Sequence, residues 1–194
     1  MLERNTVVRR APTEVYWGEA APIEHSVQIY SDDSLFMDAL EGYTSGGLRL
    51  GENVIVIATK SHRGALERRL RVRGYNVTEA QAEDRYIPVD AEAVLSQFMV
   101  DGQPDENLFN QVIDGFFARA SANGQRVRAF GEMVVLLWNE GNTSATVRLE
   151  HLWNQYLDRA AFCLFCAYPR SSFNGDADAA MLDICSHHSR IIPE

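Results

Sequence analysis

The chain has 194 residues, 46% of them hydrophobic, with 27 acidic against 18 basic side chains and a net charge of -9. That length supports one soluble domain with its own core, without disulfides or structural metal. The acidic balance, with no Lys or Arg run longer than two, argues against direct nucleic-acid binding. No apolar stretch reaches about 18 residues and the first ten residues lack the apolar run of a secretory signal. No membrane span is therefore expected, and the expected location is cytoplasmic, where three cysteines serve as small buried residues.

Residues 1–22, with mixed charge, Pro12 and Pro22, predict an N-terminal arm, and 23–194 the domain itself. Ser26–Tyr30 reads as a strand, and Asp32, Asp33 and Ser34 then cap a helix with Leu35, Phe36, Ala39, Leu40 and Tyr43 on one face. Gly46 and Gly47 end it. The β-branched run Val54–Ala58 predicts a central strand buried on both faces. Ser61 opens a second helix that Gly74 closes.

A short strand is expected at Tyr75–Val77 and another at Arg85–Val89, which Pro88 places near an edge. A helix follows over Ala91–Phe98. Leu108, Phe109, Val112, Ile113, Phe116 and Phe117 recur at helical spacing through Ala120. Val127–Phe130 is a strand, Gly131 and Glu132 a turn, and Met133–Trp138 a helix start. Thr143 or Ser144 then caps a helix carrying Leu149, Leu152, Trp153, Tyr156 and Leu157. Phe162–Tyr168 is a last strand and Ala179–His187 a last helix. The alternation predicts an α/β fold of three layers, a mostly parallel sheet of about five strands with helices on both faces.

In such sheets ligands sit beyond the carboxyl ends of the strands. The turn after the first strand, Tyr30 to Ser34, has no glycine and no lysine, so it is not a phosphate-binding loop, and its two aspartates repel phosphate. A phospho-accepting receiver domain would need a lysine after the last strand, whereas the chain's one lysine, Lys60, follows the second. Cys163 and Cys166 are three apart on a strand and face opposite sides, so they cannot chelate one metal together. His187 and His188 are adjacent on a helix and diverge. No metal or cofactor is expected. No Gly-x-Ser-x-Gly elbow offers a nucleophile. Glu132, directly after a strand, is the acid that stands out, with Arg128 or Lys60 as candidate ion-pair partners.

These elements carry a family resemblance. His25-Ser-Val-Gln-Ile-Tyr30, Gly47-Leu-x-x-Gly-Glu52 and Phe98-x-x-Asp-Gly102 come first. Arg128-Ala-Phe-Gly-Glu-Met133 with Leu136-Leu-Trp138, Arg148-Leu-Glu-x-Leu-Trp-Asn154, Cys166-Ala-Tyr-Pro169 and Ile184-Cys-x-x-His-Ser189 follow. In this order they resemble the sensory domain called MEDS, described in methanogen and methylotroph regulators of the dichloromethane-response type. The resemblance covers about residues 24–193 and implies a degenerate relative of the KaiC and RecA-type ATPase fold, without its phosphate-binding loop. Thr59 and Lys60 stand where the ATPases' paired glutamates would follow the second strand.

The resemblance implies a non-enzymatic sensory module in signal transduction and transcription regulation. Its expected partners are a small ligand, apolar or halogenated organic compounds included, and a signalling protein such as a histidine kinase or regulator; the aromatic helix faces also allow a homodimer. The residues expected to bind the ligand are Tyr30, Thr59, Lys60, His62, Arg128, Glu132 and Tyr168. Two alternatives are a nucleotide-binding enzyme with a phosphate site rebuilt from arginines, and a ligand-free interaction scaffold.

Overall fold

Apolar runs of strand length and helical stripes sort into a parallel sheet between two helix layers. The computed structural model describes residue 17 and residues 23–173, 182 and 184–192. Its strands are β1 (Glu24–Tyr30), β2 (Asn53–Ala58), β3 (Tyr86–Asp90), the short β4 (Met99–Val100) and β5 (Gln103–Pro104), β6 (Val127–Gly131), β7 (Cys163–Pro169) and β8 (Arg190–Ile192). Six of them form one sheet in the order β3-β2-β6-β7-β1-β8, and every neighbouring pair is parallel. β4 and β5 make a separate antiparallel hairpin.

The helices are α1 (Asp33–Arg49), α2 (Lys60–Val72), α3 (Val77–Ala82), α4 (Ala91–Leu95), α5 (Glu106–Ala120), α6 (Met133–Asn139) and α7 (Thr143–Arg159). Side chains alternate across each strand, so two cores result. One joins Val54, Val56, Phe130 and Phe165 to Phe36, Leu40 and Tyr43 of α1 and Leu66 and Leu70 of α2. The other joins Val27, Ile55, Ile57 and Leu164 to α4, α5, α6 and α7 and to Ile184. Helices leaving β1 and β2 thus cover one face, and those leaving β3, β6 and β7 the other. Where neighbouring strands send their helices to opposite faces, their carboxyl ends splay into a crevice. β2 and β6 are such a pair, and so are β7 and β1.

The expected architecture is observed with five local differences: α1 runs through Gly46 and Gly47, its expected end, as far as Arg49, the β4–β5 hairpin has no expected counterpart, and three more follow. The expected strand at Tyr75–Val77 is instead the approach to α3: the Asn76 side chain accepts a hydrogen bond from Glu79 N at 3.2 Å and caps a helix that buries Val77 and Ala80. The helix expected to reach Phe98 stops at Leu95. The sixth strand, β8, adds to the free edge of β1; three residues are too few for an alternation to be read. Pro88 does lie on an edge strand, β3, as its missing N–H requires. The expected arm lies outside the described residues except for Trp17, which is buried against Tyr43 and Phe165, with ring centroids 4.8 and 5.1 Å away. Of the expected last helix, residues 184–186 are helical and 179–181 and 183 lie outside the described residues.

Arg128, only 1% exposed, is opposite Val54 and Cys163 near the amino ends of β2 and β7. Its guanidinium donates to Glu52 and lies 5.3 Å from the Tyr43 ring centre. Gly47 leaves room for it: a Cβ there would come within 2.9 Å of both Arg128 Cδ and Val54 Cγ2. Both neighbours are fixed, one by its ion pair and one by the sheet. Gly47→Ala is therefore expected to destabilise by about 1 kcal/mol despite alanine's better helix propensity, as read by urea unfolding.

Candidate functional site

The crevice between β2 and β6 is filled by Glu132. This residue follows β6, and its carboxylate accepts from Thr59 N at 2.7 Å, Thr59 Oγ1 at 3.3 Å and His62 Nδ1 at 2.7 Å. Its negative charge thereby stands at the amino end of α2, beside the N-cap residue Thr59, and disfavours an external anion there. The amide end of α1 is closed by Asp32 accepting from Ser34 N at 2.6 Å. An aromatic wall borders the Glu132 cluster: Tyr30 stacks on Phe36 at 4.9 Å, and Phe36 meets His62 edge-on at 5.0 Å.

The hydrogen bond to Glu132 raises the His62 pKa above 6.5, against the opposing effect of burial. A histidine whose folded-state value is raised contributes stability that is complete below its unfolded value, here 6.5, and is lost as pH rises through the folded value. Urea unfolding between about pH 6 and pH 9 should show this loss in the parent protein and not in His62→Gln.

Four of the seven expected ligand residues, Tyr30, Thr59, His62 and Glu132, therefore meet in one place. Lys60 is exposed on the first turn of α2 and lines an open surface depression with Thr59, Ser61, Gly64, Arg68 and Glu92. Arg128 is not in the crevice: it sits near the amino end of β6 and its partner is Glu52, not Glu132. Tyr168 is on the opposite face of the sheet, in the other core.

Tyr168 leads to a second polar centre. Strand alternation turns His25 of β1 and Cys166 of β7 to the same face, while Cys163 joins the opposite core. Above them α7 presents Glu150 and, one turn on, Asn154; His188 comes in from the segment before β8. His25, Glu150, Cys166 and His188 are all buried, and one donor atom from each lies within 4.8 Å of the others.

The outer atom of three of these groups is held. His25 Nδ1 donates to Asn154 Oδ1 at 2.8 Å, since a carbonyl oxygen accepts. His188 Nδ1 donates to the Ile184 carbonyl at 2.7 Å, and the Tyr168 hydroxyl donates to Glu150 Oε1 at 2.5 Å. The inner atoms converge: Glu150 Oε2 is 3.6 Å from His25 Nε2 and from His188 Nε2, and Cys166 Sγ is 3.6 Å from His25 Nε2. Among the described residues Glu150 Oε2 and His188 Nε2 have no hydrogen-bond partner.

Burial lowers both imidazoles to about 4, with the neighbouring His188 adding to the effect on His25. With their protons on Nδ1, both are neutral near pH 7 and turn Nε2 lone pairs inward. Burial also raises Glu150, and pushes the Cys166 thiol and the Tyr168 hydroxyl well above their ordinary values. The Cys166 thiol donates weakly to His25 Nε2, which leaves Glu150 Oε2 and His188 Nε2 with no matching donor or cation among the described residues.

Sequence reasoning missed this centre because it searched the carboxyl ends of strands and weighed Cys166 and His188 only with their sequence neighbours Cys163 and His187. A signal was present. Glu150 sits on the buried stripe of α7 among Leu149, Leu152 and Trp153, where a carboxylate is costly unless it has a partner.

Fold and sites together define a three-layer α/β domain with a mixed-donor centre inside one core and carboxylates beside the helix amino ends at its carboxyl edge. Residues 24–189 match the family model MEDS, "MEthanogen/methylotroph, DcmR Sensory domain", and the chain belongs to that family, with the sensory role in signalling that this carries. His25, Glu150, Asn154, Cys166, Tyr168 and His188 all fall within the matched span. No curated protein matches the chain. Among the described residues no helix is long and apolar enough to cross a membrane.

Proposed function

We propose that this domain is a non-enzymatic sensor that takes up a small ligand at the His25–Glu150–Cys166–His188 centre and reports its occupancy by contact with a second protein, such as a histidine kinase or regulator. The observation that carries this reading is the convergence of four buried ligand atoms, two of them, Glu150 Oε2 and His188 Nε2, without a hydrogen-bond partner among the described residues. Unpaired buried acceptors cost stability, so the centre makes physical sense as a receiver. Its complement is a cation or a strong proton donor. An apolar or halogenated body has its natural place on the other face, along the aromatic wall beside Glu132.

Two features support a report to the surface. His25 exchanges hydrogen bonds with Ser189: its N donates to Ser189 Oγ at 3.0 Å, and its carbonyl accepts from Ser189 N at 2.8 Å. His188 is the next residue. Occupancy of the centre and docking of β8 on the sheet edge are thereby coupled, and β8 carries Ile191, 57% exposed. Catalysis on nucleotides finds little support, because Asp32 caps α1 and the Glu132 carboxylate stands beside the amino end of α2, where both repel phosphate.

A thermal-shift screen tests the reading, with divalent metal salts, small amines, apolar organics and magnesium-ATP as separate panels. A ligand at 100 times its Kd should stabilise by about 2.7 kcal/mol, or roughly 5–10 °C in a chain of this size. The reading predicts a saturable rise from the metal or amine panel that Glu150→Gln removes, and none from ATP. A rise that Glu150→Gln leaves intact would move the receptive site elsewhere. A saturable rise with ATP that depends on Glu132 would replace the reading by the nucleotide-handling one.

A further inference from the structure

We propose that the centre is a binding site for a divalent transition-metal ion of the zinc class, with His25 Nε2, His188 Nε2, Glu150 Oε2 and Cys166 Sγ as its four ligands. The inference rests on reading the centre as the receptive site, and it names the occupant.

Three observations carry it. The first is spacing. Three separations of 3.6 Å link the four atoms: the two from Glu150 Oε2 to imidazole nitrogens are too long for good hydrogen bonds, and the one from Cys166 Sγ to His25 Nε2 is a weak sulfur hydrogen bond. They match the edge of a tetrahedron around zinc, about 3.3–3.8 Å for bonds of about 2.0–2.3 Å. The longer separations, none above 4.8 Å, close by small rotamer adjustments.

The second is orientation. In metal sites the ligand's outer atom is held by a neighbouring group, which sets the tautomer and aims the lone pair. Asn154 does this for His25, the Ile184 carbonyl for His188 and the Tyr168 hydroxyl for Glu150. A core that merely tolerated polar side chains would satisfy them through their inner atoms too. Here Glu150 Oε2 and His188 Nε2 have no partner among the described residues.

The third is charge. Two neutral imidazoles, one thiolate and one carboxylate balance a 2+ ion to zero, the arrangement a buried site favours. Uptake forms four coordinate bonds and breaks the Cys166 S–H bond; that proton, and any held by Glu150, leaves to solvent. Nitrogen, sulfur and oxygen ligands together suit zinc and its cobalt substitute better than the all-oxygen preference of magnesium or calcium. The protein fills all four positions, so the ion acts as a clamp joining β1, α7, β7 and the segment leading into β8, with no open position for substrate.

The test uses the purified full chain, stripped with chelator and titrated with Co2+ and then Zn2+. One equivalent of Co2+ should produce the visible bands of a tetrahedral ion together with a thiolate-to-cobalt charge-transfer band, and Zn2+ should bleach both. Cys166→Ser should abolish the charge-transfer band, whereas Cys163→Ser, on the same strand but the opposite face, should keep it. Glu150→Gln should weaken binding at least about tenfold.

The wild-type titration is decisive even if a variant fails to fold. Folded wild-type protein that gives no tetrahedral spectrum at saturating Co2+ overturns the metal assignment, and so does a charge-transfer band lost in Cys163→Ser but not in Cys166→Ser. A silent Co2+ titration beside a Glu150-dependent thermal shift with an amine removes the metal and leaves the receptive site; silence in both removes both.

Discussion

Glu52→Ala is expected to destabilise the domain by about 3–5 kcal/mol, the range for stripping a buried ion of its partner. Arg128 would then keep its charge inside the core with only the Tyr43 ring and the Tyr43 carbonyl, 3.5 Å from Nη1, to face it. For a chain of this length that corresponds to a fall in Tm of roughly 6–20 °C. The double variant Glu52→Leu with Arg128→Met, apolar and of similar volume, should recover most of the loss, because the pair's own net contribution is small once both charges are gone. Calorimetric melting of the parent, Glu52→Leu, Arg128→Met and the double variant forms the cycle, with Glu52→Ala melted beside them. A single-variant loss below about 1 kcal/mol would mean that Arg128 finds another partner or reaches water. The ligand response should survive, since the pair lies apart from both the Glu132 cluster and the buried centre.

The second large effect concerns groups that hold the ligands without touching the ion. Asn154→Leu removes the acceptor that keeps the His25 proton on Nδ1, and Tyr168→Phe removes the hydroxyl that turns Glu150 Oε1 away from the centre. Each should lower Co2+ affinity by about 10–100-fold, the usual consequence of losing such a group. The number of thiolates in the spectrum should not change. Competition against a chelator of known affinity reads the shift. A purely structural role predicts a lower Tm with unchanged affinity, which separates the two explanations.

Much of the fold was legible in the chain. Val54–Ile57 is β-branched throughout because β2 is covered on both faces, and the stripe from Leu108 to Phe117 marks α5 because that helix packs through one side. The misread segments were those where few residues decide. Tyr75–Val77 has the composition of a short strand, and one capping bond from Asn76 turns it into a helix. β8 is three residues long and stands in the sheet only by pairing with β1.

The sites were half legible for a related reason. The rule that ligands lie beyond strand ends led to Thr59, His62 and Glu132, which do converge there. It misplaced Arg128, because a residue three positions before the end of a strand lies about 10 Å from that end. The same rule passed over His25 and Cys166, which lie within their strands. Cys163 and Cys166 do face opposite sides of the sheet, yet that excludes only a site shared by the two; Cys166 finds partners on its own face. Four residues from distant parts of the sequence become a constellation only once β1 and β7 are seen to be neighbours.

The most direct measurement is anomalous diffraction from a crystal of zinc-loaded protein, with data on both sides of the zinc absorption edge. The account predicts one strong difference peak between β1, α7 and β7, at about 2.0–2.3 Å from His25 Nε2, Glu150 Oε2, Cys166 Sγ and His188 Nε2. Featureless density among those four side chains, with zinc bound at Glu132 or on the surface, would contradict it.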